Sequence, residues 1–218
     1  VPRLRQLEIT EPDGSSPSAG DSTDQSRGFL EVGAAVTLSQ LKSELERQVN
    51  GVGNTTTRPA HQVRGFRALL NMLKWFASTQ IRNTATLVGN IVTASPISDT
   101  CHILVAMGAS VEIARFNAAD KAVTYRRVLM EHFFKNYRLV DVADDEVVVS
   151  IRLPMPTQWE FLGAYKQGQR REDDIAICGA GFQVVVDPTN GTVTSSKLMY
   201  SGMDKMVKRA RAVEAYCQ

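Results

Sequence analysis

Apolar residues recur at helical spacing in two places. Leu38, Leu41, Leu45 and Val49 follow Thr37-Leu38-Ser39-Gln40, whose Thr and Gln stand at capping-box distance, so a helix is expected to start there. Phe66, Leu69, Leu70, Leu73 and Phe76 share one face of a second helix over 66–76. Ser98 to Met107 reads as a further helix, and Leu129 to Phe134 as one or two helical turns. Extended patterns cover Leu4 to Thr10, Phe29 to Val36, Ser110 to Phe116 and Ala122 to Arg126, the last two as a pair. Glu146 to Leu153 alternates into a strand that Pro154 and Pro156 stop. A new unit starts near Trp159, with strands at Phe161 to Gln167, Ala176 to Val186 and Thr192 to Ser201. Asp187-Pro188-Thr189-Asn190-Gly191 joins the last two as a hairpin, and Lys205 to Tyr216 opens a closing helix. The class is α+β.

Three stretches break these periods. Glu11 to Arg27 is rich in Pro, Gly, Ser and Asp and buries too little apolar area to offset its ordering entropy, so a mobile loop is expected. Gly51-Val52-Gly53-Asn54-Thr55 has the composition of a phosphate-cradling loop but follows a helix rather than a strand. A helix-terminating loop is therefore expected there. The third stretch, Thr84 to Asp99, is uncharged until its last residue. Thr86, Asn90, Thr93, Ser95 and Ser98 are interleaved with apolar residues, and Gly89 and Pro96 break any regular element. Small residues let backbone approach a ligand, and hydroxyl and amide groups can bond to it. The plainer alternative is a buried loop satisfying its own backbone through Ser and Thr.

Composition narrows the function classes. The 218 residues suffice for one sizeable or two small cores, and the net charge of +2 gives no strong pull toward nucleic acid or an anionic membrane. No apolar run reaches the roughly 18–20 residues of a membrane span. Cys101, Cys178 and Cys217 are odd in number and far apart, against a disulfide scaffold and for a reducing compartment. They also cannot ligate an iron–sulfur cluster alone, which takes about four local Cys ligands. His61, His102 and His132 lack zinc-like spacing.

Two blocks carry a resemblance. Thr86-Leu87-Val88-Gly89-Asn90 with Ala94-Ser95-Pro96-Ile97-Ser98-Asp99 is similar to the flavin-binding segment of the xanthine dehydrogenase/aldehyde oxidase family of molybdenum hydroxylases. Ala164-Tyr165-Lys166-Gln167, leading into Arg170-Arg171-Glu172-Asp173-Asp174-Ile175-Ala176, resembles that family's flavin-side loop, and Trp75-Phe76-Ala77 matches upstream. The resemblance implies a partial PCMH-type FAD-binding domain. Residues 1–36 would end its first subdomain, 37–156 would be its second, and 157–218 would start a C-terminal subdomain of antiparallel sheet and helices. The first subdomain, with the phosphate cradle, would precede Val1.

The resemblance implies FAD as cofactor, with Phe76, Thr86, Gly89, Asn90, Thr93, Ser98, Asp99, Val148 and Lys166 at binding positions. It implies no acid–base catalyst in this segment, since hydride chemistry belongs to the flavin. Phe76 and Val148 also suit a plain core, Lys166 a snorkelling surface role and Asp99 a helix N-cap. Arg170 to Asp174 is by itself a solvated charge run; in the family it lies beside the flavin. The whole protein would place molybdopterin and 2Fe-2S clusters elsewhere in its chain, pass electrons to FAD and on to NAD+ or oxygen, form a homodimer, and sit in the cytoplasm or peroxisome. Two departures stand out. Val88 occupies a family glycine position, which would strain a β-branched residue if positive φ were needed, and Thr100-Cys101-His102 replaces Leu-Asn-Pro. They keep open a flavin-free remnant serving interaction or structure, and within the family the alternative is an aldehyde oxidase-like flavin segment using oxygen.

Overall fold

A computed structural model describes residues 2–12, 27–51, 58–119, 121–171 and 173–217. The bulk of the stretch from Glu11 to Arg27, and of the Gly51–Thr55 loop, lies outside the described residues.

The first half builds a five-stranded antiparallel sheet. Its strands are β1 (Leu7–Thr10), β2 (Phe29–Gly33), β3 (Ser110–Asn117), β4 (Ala122–Leu129) and a long return strand, Glu146–Pro154. The short hairpin β5 (Phe134–Asn136) and β6 (Leu139–Val140) precedes that return strand, which is β7. The sheet order is β1-β2-β7-β3-β4, so β7 runs between the earliest strands and the β3–β4 pair. Register aligns Leu30 with Leu153 and both Val32 and Val111 with Ile151, which puts their apolar faces on one side.

The helices cover that side. They are α1 (Leu38–Asn50), α2 (Arg64–Lys74), α3 (Thr79–Thr84), α4 (Leu87–Val92), α5 (Cys101–Ala106) and α6 (Met130–Phe133). Thr37 and Gln40 close the expected capping box on α1, and the left-handed Gly51 ends it. Leu38, Leu41 and Leu45 of α1 and Phe66, Leu69 and Leu73 of α2 are fully buried.

The second half is a four-stranded antiparallel sheet, β8 (Glu160–Gln167), β9 (Cys178–Val186), β10 (Val193–Ser201) and β11 (Lys208–Arg209), in the order β11-β10-β9-β8, followed by α7 (Arg211–Cys217). α2 lies against β8, and α5 lies against β9 and β10. The close approach of α5 depends on glycine. A Cβ on Gly181 would stand 2.6 Å from the His102 carbonyl oxygen and 2.8 Å from Ile103 Cα.

Several expectations shift. Thr84 to Asp99 is not irregular throughout, because Thr86 caps α4 and six residues become helical. The helix expected over 66–76 stops at Lys74, and the one expected from Ser98 starts at Cys101. The strand expected from Leu4 starts at Leu7, after a 3-10 turn over Pro2–Arg5. The closing helix starts at Arg211, because Lys208 and Arg209 extend the edge of the second sheet. Val88 lies inside α4, buried, and is not among the left-handed residues, so its branched side chain escapes the positive-φ strain. Thr100-Cys101-His102 opens α5 and is wholly buried.

Candidate functional site

Three stretches of chain meet at the open end of the helical layer. The first leaves α2. Trp75 donates its N–H back to the carbonyls of Leu73 and Met72, and Ala77 then turns the chain with φ of 42°. Such a conformation is costly for any residue with a Cβ, on the order of 1–2 kcal/mol. One guanidinium nitrogen of Arg82 donates to Phe76 O at 2.6 Å and to Ala77 O at 2.8 Å.

The second stretch runs from Thr86 to Thr100. Thr86 Oγ1 accepts from the Gly89 N–H at 3.0 Å, and Thr93 Oγ1 donates to the Gly89 carbonyl at 2.8 Å. These groups close α4 on itself. Asn90 Oδ1 accepts from Ser98 Oγ and from Thr100 Oγ1, both at 2.7 Å. With both acceptor positions filled, the Asn90 amide is oriented, and its NH2 has no partner among the described residues. Ser98 Oγ accepts from the N–H groups of Thr100 and Cys101 at 3.3 Å, the service expected of an N-cap at Asp99.

The third stretch follows β8. Lys166 spends all three ammonium protons: on Trp75 O at 3.1 Å, Asp99 Oδ2 at 2.7 Å and Asp174 O at 2.8 Å. Its side chain is only 8% exposed, so it is a buried tie between all three stretches rather than a snorkelling surface lysine. Burial pushes the Asp99 carboxyl above its ordinary range, against the opposing bond and charge of Lys166. Beyond it, Asp174 Oδ2 accepts from the N–H groups of Gln169 and Arg170 at 2.8 Å, which holds its carboxyl below the usual range. Asp173 is left-handed at φ 47°, and Arg171 stacks 4.7 Å over the Trp75 ring.

Between these stretches lies a cavity of about 360 Å³, lined by Phe76, Asn90, Ser98, Asp99, Ile97 and Ile175 among others, including Arg138 from the β5–β6 turn. Its size is that of a small-molecule site. Of the five left-handed non-glycine residues among the described ones, Ala77, Arg138 and Asp173 line this one cavity. Strained backbone concentrates where a site needs a fixed shape. A second space of about 340 Å³ opens beside Lys166 and is lined by Trp75, Arg170 and Arg171. A larger cavity of about 550 Å³ sits elsewhere, between Met155, Pro156, Trp159 and Pro188. It touches none of the residues expected to bind a cofactor, so size alone does not select the site.

Of the nine residues expected at binding positions, Phe76, Asn90, Ser98 and Asp99 converge on the cavity, and Lys166 is bonded to Asp99. Thr86, Gly89 and Thr93 lie on α4 and its cap, and Val148 is buried in β7; these four do not line it. Sequence reasoning missed Ala77, Arg82 and Arg138. An alanine carries no sign of a left-handed backbone, and an arginine none of an acceptor contributed by folded carbonyls.

Residues 21–156 match the family described as the FAD binding domain in molybdopterin dehydrogenase. The chain belongs to this family. Residues 163–218 match the CO dehydrogenase flavoprotein C-terminal domain. Among relatives of this FAD-binding domain, a xanthine dehydrogenase of Oryza sativa subsp. japonica is 36% identical over 189 residues, 86% of this chain and 13% of the relative. One of Dictyostelium discoideum is 38% identical over 186 residues, 80% of this chain and 14% of the relative. The chain thus spans about one-seventh or less of the length of these relatives. Its fold is similar to that of the carbon monoxide dehydrogenase from Hydrogenophaga pseudoflava, with a TM-score of 0.72 at 21% identity, covering 100% of this chain and 62% of that one. Quinoline 2-oxidoreductase from Pseudomonas putida 86 is similar too, with a TM-score of 0.69 at 20% identity, covering 100% of this chain and 61% of that one. Among the described residues of the FAD-binding domain, no His, Cys, Asp and Glu cluster is placed to hold a metal ion, and no helix is long and apolar enough to cross a membrane.

Proposed function

We infer that this chain is the flavin-binding segment of a xanthine dehydrogenase-like molybdenum hydroxylase, an FAD-dependent oxidoreductase that passes electrons from iron–sulfur clusters through FAD to NAD+ or oxygen. The observation that carries the reading is the convergence of Phe76, Asn90, Ser98 and Asp99 on one cavity, faced by Asp173 and Ile175 from the loop after β8. The residues fit a flavin. Phe76, Ile97 and Ile175 offer apolar walls for a flat ring, and the oriented Asn90 amide offers a donor for its polar edge. Bound FAD would supply the hydride chemistry, so no side chain of this segment is assigned proton transfer.

Phe76, Thr86, Gly89, Asn90, Thr93, Ser98, Asp99, Val148 and Lys166 are proposed as the FAD-binding residues. Their parts differ. Phe76 and Asn90 would face the group. Thr86, Gly89 and Thr93 would keep α4 in shape, since their hydroxyl and backbone groups bond to one another. Lys166 and Asp99 would hold the loop against the wall. Residues 1–156 would form the C-terminal part of the FAD-binding domain, 1–36 ending its first subdomain and 37–156 being its second, and 157–218 would start the C-terminal subdomain. The iron–sulfur and molybdopterin domains would be partners in the same protein, which would be a cytoplasmic or peroxisomal homodimer. The names of the relatives support the xanthine dehydrogenase reading.

The test is the visible spectrum of the purified full-length protein, followed by reduction with a purine and reoxidation with NAD+ or oxygen. A flavin spectrum bleached by the purine is expected. A protein without flavin absorbance, to which added FAD does not bind, would refute the reading.

A further inference from the structure

We propose that Arg82 is a positioning residue for the flavin site: by gripping the carbonyls of Phe76 and Ala77 it keeps Ala77 left-handed and Phe76 on the cavity wall. This rests on the flavin reading above. The chain must turn sharply between the end of α2 and the start of α3, and it does so without glycine or proline: Trp75-Phe76-Ala77-Ser78 carries the turn. Ala77 has no intrinsic preference for φ of 42°, so surrounding contacts must impose it. Arg82 is the contact. In an extended chain successive carbonyls point to opposite sides, whereas here two successive carbonyls converge on one guanidinium nitrogen at 2.6 and 2.8 Å.

The grip is anchored. The other guanidinium nitrogen of Arg82 donates to Thr79 Oγ1 at 3.0 Å, within the first turn of α3. α3 is in turn tied to α1, through Ser39 Oγ to Asn83 Oδ1 at 2.5 Å and the Leu38 N–H to Ala85 O at 2.9 Å. The arginine has no carboxylate partner among the described residues; its hydrogen bonds go to two carbonyls and a hydroxyl. A guanidinium used this way supplies geometry, because its planar fork can serve several fixed acceptors at once. Arg82 itself does not line the cavity, so it acts through Phe76 and Ala77.

The test is FAD titration of the apo form of the full-length protein, by flavin fluorescence, with melting of each apo form measured alongside. Arg82→Ala should raise the FAD Kd about tenfold or more. Arg82→Lys should recover part of that loss, since an ammonium can still reach a carbonyl. Adding Ala77→Gly to Arg82→Ala should recover at least about threefold, because glycine takes positive φ without being held. A role in stability alone would lower the melting temperature of Arg82→Ala and leave its FAD affinity, measured well below melting, unchanged; that result overturns the proposal. So does a double variant that binds no better than Arg82→Ala. Both of those outcomes leave the flavin reading standing, whereas a wild-type protein that does not bind FAD refutes that reading and this one with it.

Discussion

Lys166 Nζ and Asp99 Oδ2 stand 2.7 Å apart across 67 positions of sequence, and this bond fastens β8 to the segment that leads into α5. Asp99→Ala would leave a buried ammonium with two carbonyls and no counter-charge. Breaking one side of such a pair costs on the order of 3 kcal/mol. The expected outcome is a destabilised protein with lowered flavin content, the two measured by denaturant unfolding and by the ratio of flavin to protein absorbance. Burial already raises the Asp99 carboxyl against the pull of Lys166, so charge at this position is itself expensive. The double variant Asp99→Ala/Lys166→Met should therefore be less destabilised than Asp99→Ala alone. Equal loss in both would show that the pair is not what the site rests on.

Asp173 and Asp174 are neighbours with different tasks. The Asp174 carboxylate is committed to two backbone N–H groups, while the Asp173 carboxylate has no partner among the described residues and lies at the cavity. Asp173→Asn should therefore change the KM for NAD+ several-fold and leave oxygen turnover and flavin content nearly as they were, because a charged dinucleotide feels the local field and oxygen does not. Steady-state kinetics with each acceptor tests it. Parallel change for both acceptors would reduce Asp173 to a solvated turn residue.

Asp174 adds an acid dependence to the same loop. Its folded pKa is depressed below the ordinary 3.8, so the stability it contributes is present above that value and is lost as pH falls through the lower folded one. Cleavage of the 167–177 loop by an acid-active protease should rise steeply in that window. Asp174→Asn should make the loop susceptible already at neutral pH. A loop equally protected in both proteins at every pH would contradict this.

His102 is fully buried under β9 and β10, its Nδ1 is 3.3 Å from Ser201 Oγ, and its Nε2 has no hydrogen-bond partner among the described residues. Burial lowers its pKa from 6.5 to about 4. The unfolded chain therefore takes up this proton first. Stability attributable to His102 is intact above about pH 6.5 and is lost as pH falls toward 4, by an amount on the order of 3 kcal/mol. Urea unfolding at pH 7.5 and pH 5 should show this, and His102→Gln should remove most of the difference between the two. An unchanged difference would place the acid sensitivity elsewhere.

Gly181 tests the close approach of α5 to the second sheet. Its added Cβ would meet backbone at 2.6 and 2.8 Å, and backbone cannot swing aside as a side chain can. Gly181→Ala should cost about 1–3 kcal/mol by overpacking. Gly191, at φ 73° with nothing near a new Cβ, lies in an open turn and gives the contrast. Gly191→Ala should cost through its backbone alone. Unfolding in urea compares them, and a neutral Gly181→Ala would mean that α5 can retreat from β9 without penalty.

Much of the fold was legible along the chain. The capping box at Thr37, the strand pairs and the hairpin at Asp187–Gly191 are local matters of side-chain period, cap chemistry and turn residues, all carried within a few positions. The block around Asn90 stood out by its small and hydroxylated residues among apolar ones, although six of them fold into α4, whereas the block around Lys166 stood out only by its resemblance to a family loop. What the sequence alone could not decide was who faces whom. Nothing local shows that Thr86, Gly89 and Thr93 bond to one another once α4 folds. Lys166 looks like an exposed cation until β8 carries it beneath Asp99 and the loop carbonyl. Ala77 stood out only within the family match Trp75-Phe76-Ala77, and neither it nor Arg82 announces the left-handed turn, which a contact formed in the fold must impose. Local chemistry chooses the elements; the cavity depends on backbone carbonyls and buried charges that acquire partners only when segments far apart in sequence are packed together.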